Sequence, residues 1–441
     1  MLIQFRVENH RSLRDEQILS LAAASDRAGA HVLRVEGLSE ALVPVVAIYG
    51  ANASGKSNVL SALSFLRRAV VDSQRRWEVE GTPQDPFRLS RKVSEPSLYE
   101  VDIVVDGVRF RYGFQLSATR IEEEWLFAWP HGRKAMWFER EGDRFEFGKT
   151  LHGENEAIRG FTRPNSLFLS AAAQNNHTTL LPIFRYFAAW QFSLGRNPGL
   201  SHLWLLPVIA RSLGPEVGSA DRDAILQLIQ GADTGILDVR VEPGQVEQLA
   251  LDLGVQQAQF PLGAPMRAPA VLFRHRAVDD EHAWLPLASE SAGTIALLEL
   301  APLILDTLRS GGLLCIDELE ASLHPTLALR VVRLFNDPKV NRHNAQLVFA
   351  THDTNLLGSI IGDPALRRDQ VWFTEKDEAG GTELYPLTDF HPRKEENLER
   401  GYLQGRYGAI PFLGELVGRT ADGQLDDHRS NVEPSDGDEE P

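Results

Sequence analysis

The chain has 441 residues, 43% hydrophobic and 24% charged, which is a globular composition and excludes wholesale disorder. Its net charge of −16, from 61 acidic and 45 basic residues, argues against a polycation that binds nucleic acid with its whole surface. One cysteine excludes an intramolecular disulfide, and no apolar run is long enough to cross a bilayer. We therefore expect a cytoplasmic protein without a membrane segment.

The first chemical motif follows a predicted strand. Residues 3–7 alternate apolar and polar, residues 17–21 form a second short strand, and residues 43–49 are a continuous apolar run. Such a run is typical of a strand that is covered on both faces in a parallel sheet. Residues 59–68 carry apolar side chains at roughly helical spacing. The pattern predicts a strand, a glycine-rich turn and a helix.

The turn between this strand and helix reads Gly50-x4-Gly55-Lys56-Ser57. Glycines let the backbone curl so that several N–H groups face phosphate oxygens, and the helix that follows presents its positive end to them. Lys56 would neutralise the β- and γ-phosphates, and the Ser57 hydroxyl would bind Mg²⁺. An accidental glycine turn is the alternative, which the flanking strand and helix argue against. The residues predicted to bind ATP here are Gly50, Asn52, Ser54, Gly55, Lys56, Ser57 and Asn58.

The middle of the chain changes from β-rich to mainly helical. Turn dipeptides such as Asp106-Gly107 separate β-rich runs and predict an antiparallel meander, whose runs are 97–105, 108–116, 121–129, 134–140 and 144–147. Residues 177–232 look mainly helical. Short strands are predicted near 236–241, 249–253, 270–275 and 284–287. Further on we expect helices at 292–310 and 325–335, and strands at 313–316, 346–350, 371–374 and 383–386.

An acidic pair, Asp317-Glu318, ends the apolar strand at 313–316. Asp317 would hold Mg²⁺, directly or through water, and Glu318 would orient or deprotonate an attacking water. A strand followed by an acidic turn is common in proteins. The phosphate-binding loop upstream is what favours the catalytic interpretation.

Two further polar positions lie at the ends of predicted elements. His352 follows the strand at 346–350, where an imidazole could contact the γ-phosphate, although a surface histidine is the simpler interpretation. Ser291 and Gly293 open the helix at 292–310 and could form a second phosphate cradle, with an ordinary helix N-cap as the alternative.

In this order the motifs resemble the ABC-type ATPase heads of the RecF/SMC/OLD group. The resemblance implies that two heads sandwich two ATP molecules, so the protein would be at least a homodimer and Ser291 and Gly293 would act in trans. It also implies that Asn9 and Arg11 lie near the nucleotide. Residue His324 stands where transporters carry an aspartate, which argues against a transporter subunit.

The glutamine that senses Mg²⁺ in such heads has two candidates. Gln174 follows the strand-like residues 167–170, and Gln115 lies in the predicted meander. We assign the role to Gln174, with Gln115 as the alternative.

A closer resemblance is to the compact bacterial ATPases of the RloA and AriA type, carried by residues 1–21, 232–235 and 399–411. It implies an α/β P-loop NTPase, an ABC-ATPase-like head with a mixed sheet, an antiparallel β meander lobe and a helical insertion. The head would cover residues 1–415, split as 1–96, 97–150, 151–288 and 289–415, followed by a disordered tail. Such ATPases often act with a separately encoded effector in phage defence.

Three functional hypotheses remain open. The first is an ATP- and Mg²⁺-dependent switch that regulates or delivers a separate effector, such as a nuclease or toxin. The second is a RecF-like DNA-binding repair ATPase, which leaves nucleic acid open as a partner through two basic clusters. The third is a scaffold whose ATP site is only structural. The basic clusters are Arg67, Arg68, Arg75 and Arg76, and Arg393, Lys394, Arg400 and Arg406.

The predicted tail at 416–441 accounts for much of the acidity. Residues 420–441 carry −7 of the net −16, which leaves −9 on residues 1–419. The body is therefore only moderately acidic, and we expect the tail to be solvated or to face a partner.

Overall fold

The computed structural model describes residues 1–24, 31–35, 38–130, 132–194, 209–210, 212–214, 218–232, 234–242, 270–277, 283–321, 323–358, 363–393 and 396–411. Residues Met1–Ile410 form one compact unit, and the second unit, Pro411–Pro441, is described only at its first residue. The strand predicted at 249–253, Lys394 and the acidic tail lie outside the described residues. No helix among the described residues is long and apolar enough to span a membrane.

A six-stranded mixed sheet lies at the centre of the first unit. Its strands are β3 (Val45–Gly50), β9 (Gln191–Ser193), β13 (Leu313–Ile316), β14 (Gln346–Ala350), β15 (Val371–Lys376) and β16 (Thr382–Pro386). The order is β16-β15-β3-β14-β13-β9, in which only β16 runs antiparallel to its neighbour. Every residue of β3, β13 and β14 is buried, as their continuous apolar sequences predict.

The side chains on the two faces of this sheet pack into two different hydrophobic cores, because successive side chains of a strand point to opposite faces. Val46 and Ile48 join one core with the glycine-loop helix and the meander, whereas Ala47 and Tyr49 join the other. The described helices that cover these faces are α1 (Lys56–Arg76), α2 (Asn155–Phe161), α3 (Phe168–Gln174), α4 (Leu181–Ala188), α5 (Ser219–Gln230), α6 (Ala292–Ser310), α7 (Pro325–Asn336) and α8 (Leu398–Leu403).

The predicted meander is confirmed and extends further than the sequence pattern showed. A seven-stranded antiparallel sheet has the order β2-β1-β4-β5-β6-β7-β8, so the N-terminal hairpin pairs with the first meander strand. Its strands are β1 (Leu2–Glu8), β2 (Gln17–Ser20), β4 (Ser97–Val105), β5 (Val108–Leu116), β6 (Ile121–Trp129), β7 (Ala135–Glu141) and β8 (Arg144–Phe147). A third, three-stranded sheet contains β10 (Ile236–Glu242), β11 (Ala270–His275) and β12 (Trp284–Pro286).

One local prediction was wrong. Of the strand-like residues 167–170, Leu167 precedes helix α3 and the other three form its first turn. The segment from 177 is mainly helical where it is described, with the short strand β9 inside it. The cause of the wrong prediction lies far away in the sequence. The buried carboxylate of Glu124 accepts the N–H groups of Phe168 (2.6 Å) and Leu169 (3.1 Å), and so satisfies the first turn of α3.

Candidate functional site

The strand order brings the predicted motifs to one edge of the central sheet. Strand β14 lies between β3 and β13 and runs parallel to both. The carboxyl ends of three adjacent parallel strands therefore carry the glycine loop, His352 and the pair Asp317-Glu318. In open α/β sheets this edge is where ligands bind.

The glycine loop has the backbone shape that phosphate binding requires. Gly55 has a φ of 114° and Ala53 a φ of 62°, both left-handed, and α1 begins directly after Gly55 without a side-chain cap. The first N–H groups of α1 thus lack a capping side chain and lie at the positive end of the helix. A Cβ on Gly50 would lie 2.5 Å from the Ser54 hydroxyl, so only glycine fits there.

The side chain of Lys56 crosses the inside of this loop. Its Nζ donates to the carbonyl oxygens of Gly50 (2.9 Å) and Ala51 (3.0 Å). Burial lowers the pKa of Lys56 to about 8, and the nearby carboxylates of Asp317 and Glu320 partly offset that effect. An ammonium group held by two weak carbonyl partners is ready to exchange them for phosphate oxygens.

The two residues of the acidic pair differ in their local structure. Asp317 has a feature of a metal ligand, and Glu318 has a strained backbone. The backbone N–H of Asp317 donates to the carbonyl oxygen of Ser193 (2.9 Å), while the side-chain Oδ1 is buried without a hydrogen-bond partner. A buried carboxylate oxygen without a partner fits a Mg²⁺ that also takes phosphate oxygens and water. Glu318 adopts a left-handed φ of 51°, an uncommon and costly conformation for a residue with a Cβ.

Glu320 holds the histidine turn and was not singled out as a site residue from the sequence. Its carboxylate accepts the Thr351 hydroxyl and the His352 backbone N–H, both at 2.6 Å. Burial lowers the pKa of His352, and the Lys56 ammonium lowers it further. The imidazole is therefore neutral near pH 7 and can exchange a hydrogen bond with a phosphate oxygen.

The structure corrects the predicted role of Asn9. Its Nδ2 donates to the carbonyls of Lys92 (2.8 Å) and Glu95 (2.9 Å), and its Oδ1 accepts the N–H of Phe87 (2.9 Å). Both the amide nitrogen and the amide oxygen of the buried Asn9 are thus engaged with the segment 87–96.

Arg11 lines a cavity beside the phosphate loop, and its Nε donates to Asp85 (2.8 Å). The cavity has a volume of about 400 Å³ and is also lined by Asn58, Phe87 and Lys376. This volume lies within the range of small-molecule sites. The wall formed by residues 85–89 was not predictable from the sequence, because those residues carry no motif and are positioned by Asn9 and Arg11.

The structure argues against Gln174 as the Mg²⁺ sensor, whereas the alternative, Gln115, stays a prediction. Leu167, just before α3, donates to the Ser73 hydroxyl, which lies about 24 Å along α1 from Ser57 at 1.5 Å per residue. Helix α3 is only about 10 Å long, so Gln174 at its exposed end stays away from Ser57. Gln115 lies in β5 of the antiparallel sheet.

Ser291 caps helix α6 and is exposed. Its Oγ accepts the backbone N–H of Thr294 (3.1 Å), and the preceding Glu290 pairs with His275 (2.7 Å). In the part of the chain that the structure describes, no hydrogen bond or ion pair joins Ser291 or Gly293 to the phosphate loop. The predicted role of these residues in trans stays a prediction.

We predict a pH-dependent stability that originates at His10. The ring is buried against Phe65 and Tyr99, and burial lowers its pKa to about 3. Because the folded pKa lies below the unfolded value of 6.5, this stability is complete above pH 6.5 and is lost as the pH falls. Between pH 7 and pH 5 the loss from His10 is about 2 kcal/mol.

Thermal melts at pH 7 and pH 5 test this prediction. The difference between the two melting temperatures should be smaller in His10→Phe, which keeps the ring packing, than in the wild type. The exposed His343→Gln variant should behave as the wild type does. An unchanged pH dependence in His10→Phe would contradict the assignment.

A family model covers most of the chain. Residues 45–358 match the family described as "AAA domain, putative AbiEii toxin, Type IV TA system". No curated protein matches the chain.

Among solved structures, the SMC head domain from Thermotoga maritima is 13% identical, with a TM-score of 0.38, covering 87% of this chain and 98% of that one. An Smc head bound to the C-winged helix domain of ScpA is 13% identical, with a TM-score of 0.38, covering 91% and 99%. A Pyrococcus furiosus Smc head with an extended coiled coil, bound to the C-terminal domain of ScpA, is 12% identical, with a TM-score of 0.35, covering 92% and 98%.

Proposed function

Because the chain belongs to the family described as "AAA domain, putative AbiEii toxin, Type IV TA system", we propose that this AAA/SMC-type ATPase is a hydrolytic switch that ATP assembles into a sandwich dimer. The observation that carries the proposal is the convergence of Lys56, the Asp317-Glu318 pair and His352 at one sheet edge. Each of these groups has a place in phosphoryl transfer.

The geometry of the site supports the following roles. The N–H groups of the loop and of α1 bind the phosphates, and Lys56 exchanges the Gly50 and Ala51 carbonyls for the β- and γ-phosphate oxygens. Ser57 and Asp317 would hold Mg²⁺, which when bound neutralises charge on the phosphates. Glu318 orients the attacking water and takes its proton, and His352 bonds the γ-phosphate.

The second half of each site would come from a second copy of the chain. Ser291 and Gly293 lie at the exposed N-terminus of a 19-residue helix, where backbone N–H groups favour an anion. The γ-phosphate of one head would bind there, so ATP joins two heads and hydrolysis releases them.

The proposed output is control of a separately encoded effector in bacterial anti-phage defence, with a nuclease or toxin as the effector. The family description, which names a putative toxin of a type IV toxin–antitoxin system, supports a link to such systems.

The alternative, a RecF-like DNA-binding ATPase, receives less support from the basic clusters. Arg67 donates to the Ala188 carbonyl (3.2 Å), Arg76 lies 3.4 Å from Asp72, and Arg406 pairs with Glu396. These cations are already engaged with the protein itself. Salt-dependent DNA binding would favour the alternative.

ATP turnover and molar mass in solution, measured with Mg²⁺, test the proposal. The wild type should hydrolyse ATP and double its mass with ATP. Ser291→Asp keeps a good N-cap but repels the phosphate of the other head, so it should bind ATP and stay monomeric, whereas Ser291→Thr should assemble. A wild type with neither turnover nor ATP-dependent assembly would exclude the switch.

A further inference from the structure

A continuous chain of side-chain hydrogen bonds runs behind the phosphate loop. It connects Asn58 in the first turn of α1, Ser12 near the N-terminus, Thr382 at the start of β16 and the carbonyl of Ser54 in the loop. The three distances are 2.6 Å, 2.7 Å and 2.8 Å. Four segments that are far apart in sequence meet in this chain of bonds, which we call the hydroxyl relay.

The direction of every bond in the relay is determined. The Nδ2 of Asn58 donates to Ser12 Oγ, and Thr382 Oγ1 donates to the Ser54 carbonyl. A hydroxyl has a single proton, so the bond between Ser12 and Thr382 must be donated by Ser12. Loss of the Thr382 hydroxyl would therefore leave both a buried donor and a buried acceptor without a partner.

The relay acts on a loop residue that is also held from its other side. The Ser54 hydroxyl bonds Thr374 Oγ1 at 2.6 Å, so the hairpin formed by β15 and β16 holds both the hydroxyl and the carbonyl of this residue. Thr382 also packs against the loop, because a Cβ on Gly55 would lie 2.1 Å from its Oγ1. Thr374 and Thr382 are both buried.

We propose that Thr382 is a positioning residue that holds the phosphate loop in its phosphate-binding shape, and that the relay couples this loop to the adjacent cavity. Ser12 and Asn58 line that cavity, together with Lys376 and Gly380 of the same hairpin. A nucleotide that fills the cavity orders Asn58 and Ser12. These residues in turn order Thr382 and, through it, Ser54. The inference rests on the proposed function, because it concerns how the same site binds ATP.

The expected kinetic signature follows from where the relay acts. It contacts the loop and not the reacting atoms, so its loss should weaken the ground state and the transition state alike. Thr382→Val, which keeps the shape but removes the hydroxyl, should raise the Kd for ADP and the KM for ATP by about ten- to a hundredfold. The kcat should change by less than about threefold.

Calorimetric binding of ADP and steady-state ATP hydrolysis, measured on the full chain, provide the test. Thr382→Ser restores the hydroxyl and should bind ADP within about threefold of the wild type. Ser12→Ala breaks the relay one step earlier but keeps the bond from Thr382 to Ser54, so its Kd should rise by less than that of Thr382→Val. Melting temperatures report whether each variant is folded.

Several outcomes would overturn the inference. One is wild-type ADP affinity in Thr382→Val, and another is equal weakening in Thr382→Ser, which would assign the effect to shape and not to the hydroxyl. If Thr382→Val does not fold, the ADP affinity of Ser12→Ala provides the test. A wild-type affinity in Ser12→Ala would then overturn the proposed role of the relay. A wild type that binds neither ADP nor ATP removes the proposed function itself, and the two failures are thereby distinguished.

Discussion

Glu318→Gln should lower the rate of ATP hydrolysis by about a hundred- to ten-thousandfold, the usual contribution of a positioned general base. The amide keeps the size of the side chain but cannot take the proton of the attacking water. Binding of ATP should persist, because the phosphates are held by the loop, by Lys56 and by α1. The dimer should therefore accumulate in the presence of ATP instead of dissociating.

Single-turnover hydrolysis and molar mass in solution check this expectation. Glu123→Gln, an exposed carboxylate on strand β6 of the antiparallel sheet, is the matched control and should hydrolyse ATP at the wild-type rate. Near-normal turnover in Glu318→Gln would remove Glu318 from its catalytic role. Lost ATP binding in the same variant would show that it acts on the ground state.

Lys56→Ala should weaken ATP binding by about a hundredfold or more, because the phosphates lose a buried charge partner. The stability of the nucleotide-free protein should not fall in parallel. Burial lowers the pKa of Lys56 to about 8, which means that the folded protein disfavours the ammonium form. Removing this group also removes an unfavourable burial of charge.

Calorimetry with ATP and a thermal melt without nucleotide separate the two effects. We expect lost affinity with an unchanged or higher melting temperature, and the exposed Lys339→Ala variant should match the wild type in both. A large drop in melting temperature would assign Lys56 a mainly structural role. Wild-type affinity for ATP would place the phosphates elsewhere.

Local sequence predicted those parts of the site whose functional groups lie in consecutive residues. The glycine loop, the acidic pair and His352 each follow a strand whose apolar run marks it as buried, and the parallel order of β3, β14 and β13 brings them together. The antiparallel lobe was predictable as well, because turn dipeptides such as Asp106-Gly107 separate its β-rich runs.

The features that could not be predicted from the sequence depend on contacts between residues that are far apart along the chain. The sequence resemblance predicts that Asn9 lies near the nucleotide, whereas the structure shows that its carboxamide bonds the segment 87–96. Residues 167–170 read as a strand because the carboxylate that caps them, Glu124, lies more than 40 positions earlier. Thr382 carries no motif, and only the pairing of β15 with β3 places its hairpin behind the loop.

The order of the central sheet also has a consequence for how the chain is made. Strand β3 ends at Gly50, whereas its neighbours β14 and β15 begin at Gln346 and Val371, about 300 residues later. At a synthesis rate of about 5–20 residues per second, the ribosome needs roughly 15–60 seconds to deliver them. During that time a fully apolar strand has both edges unpaired. We expect the nascent chain to depend on a chaperone that shields residues 45–50 until translation has passed β15.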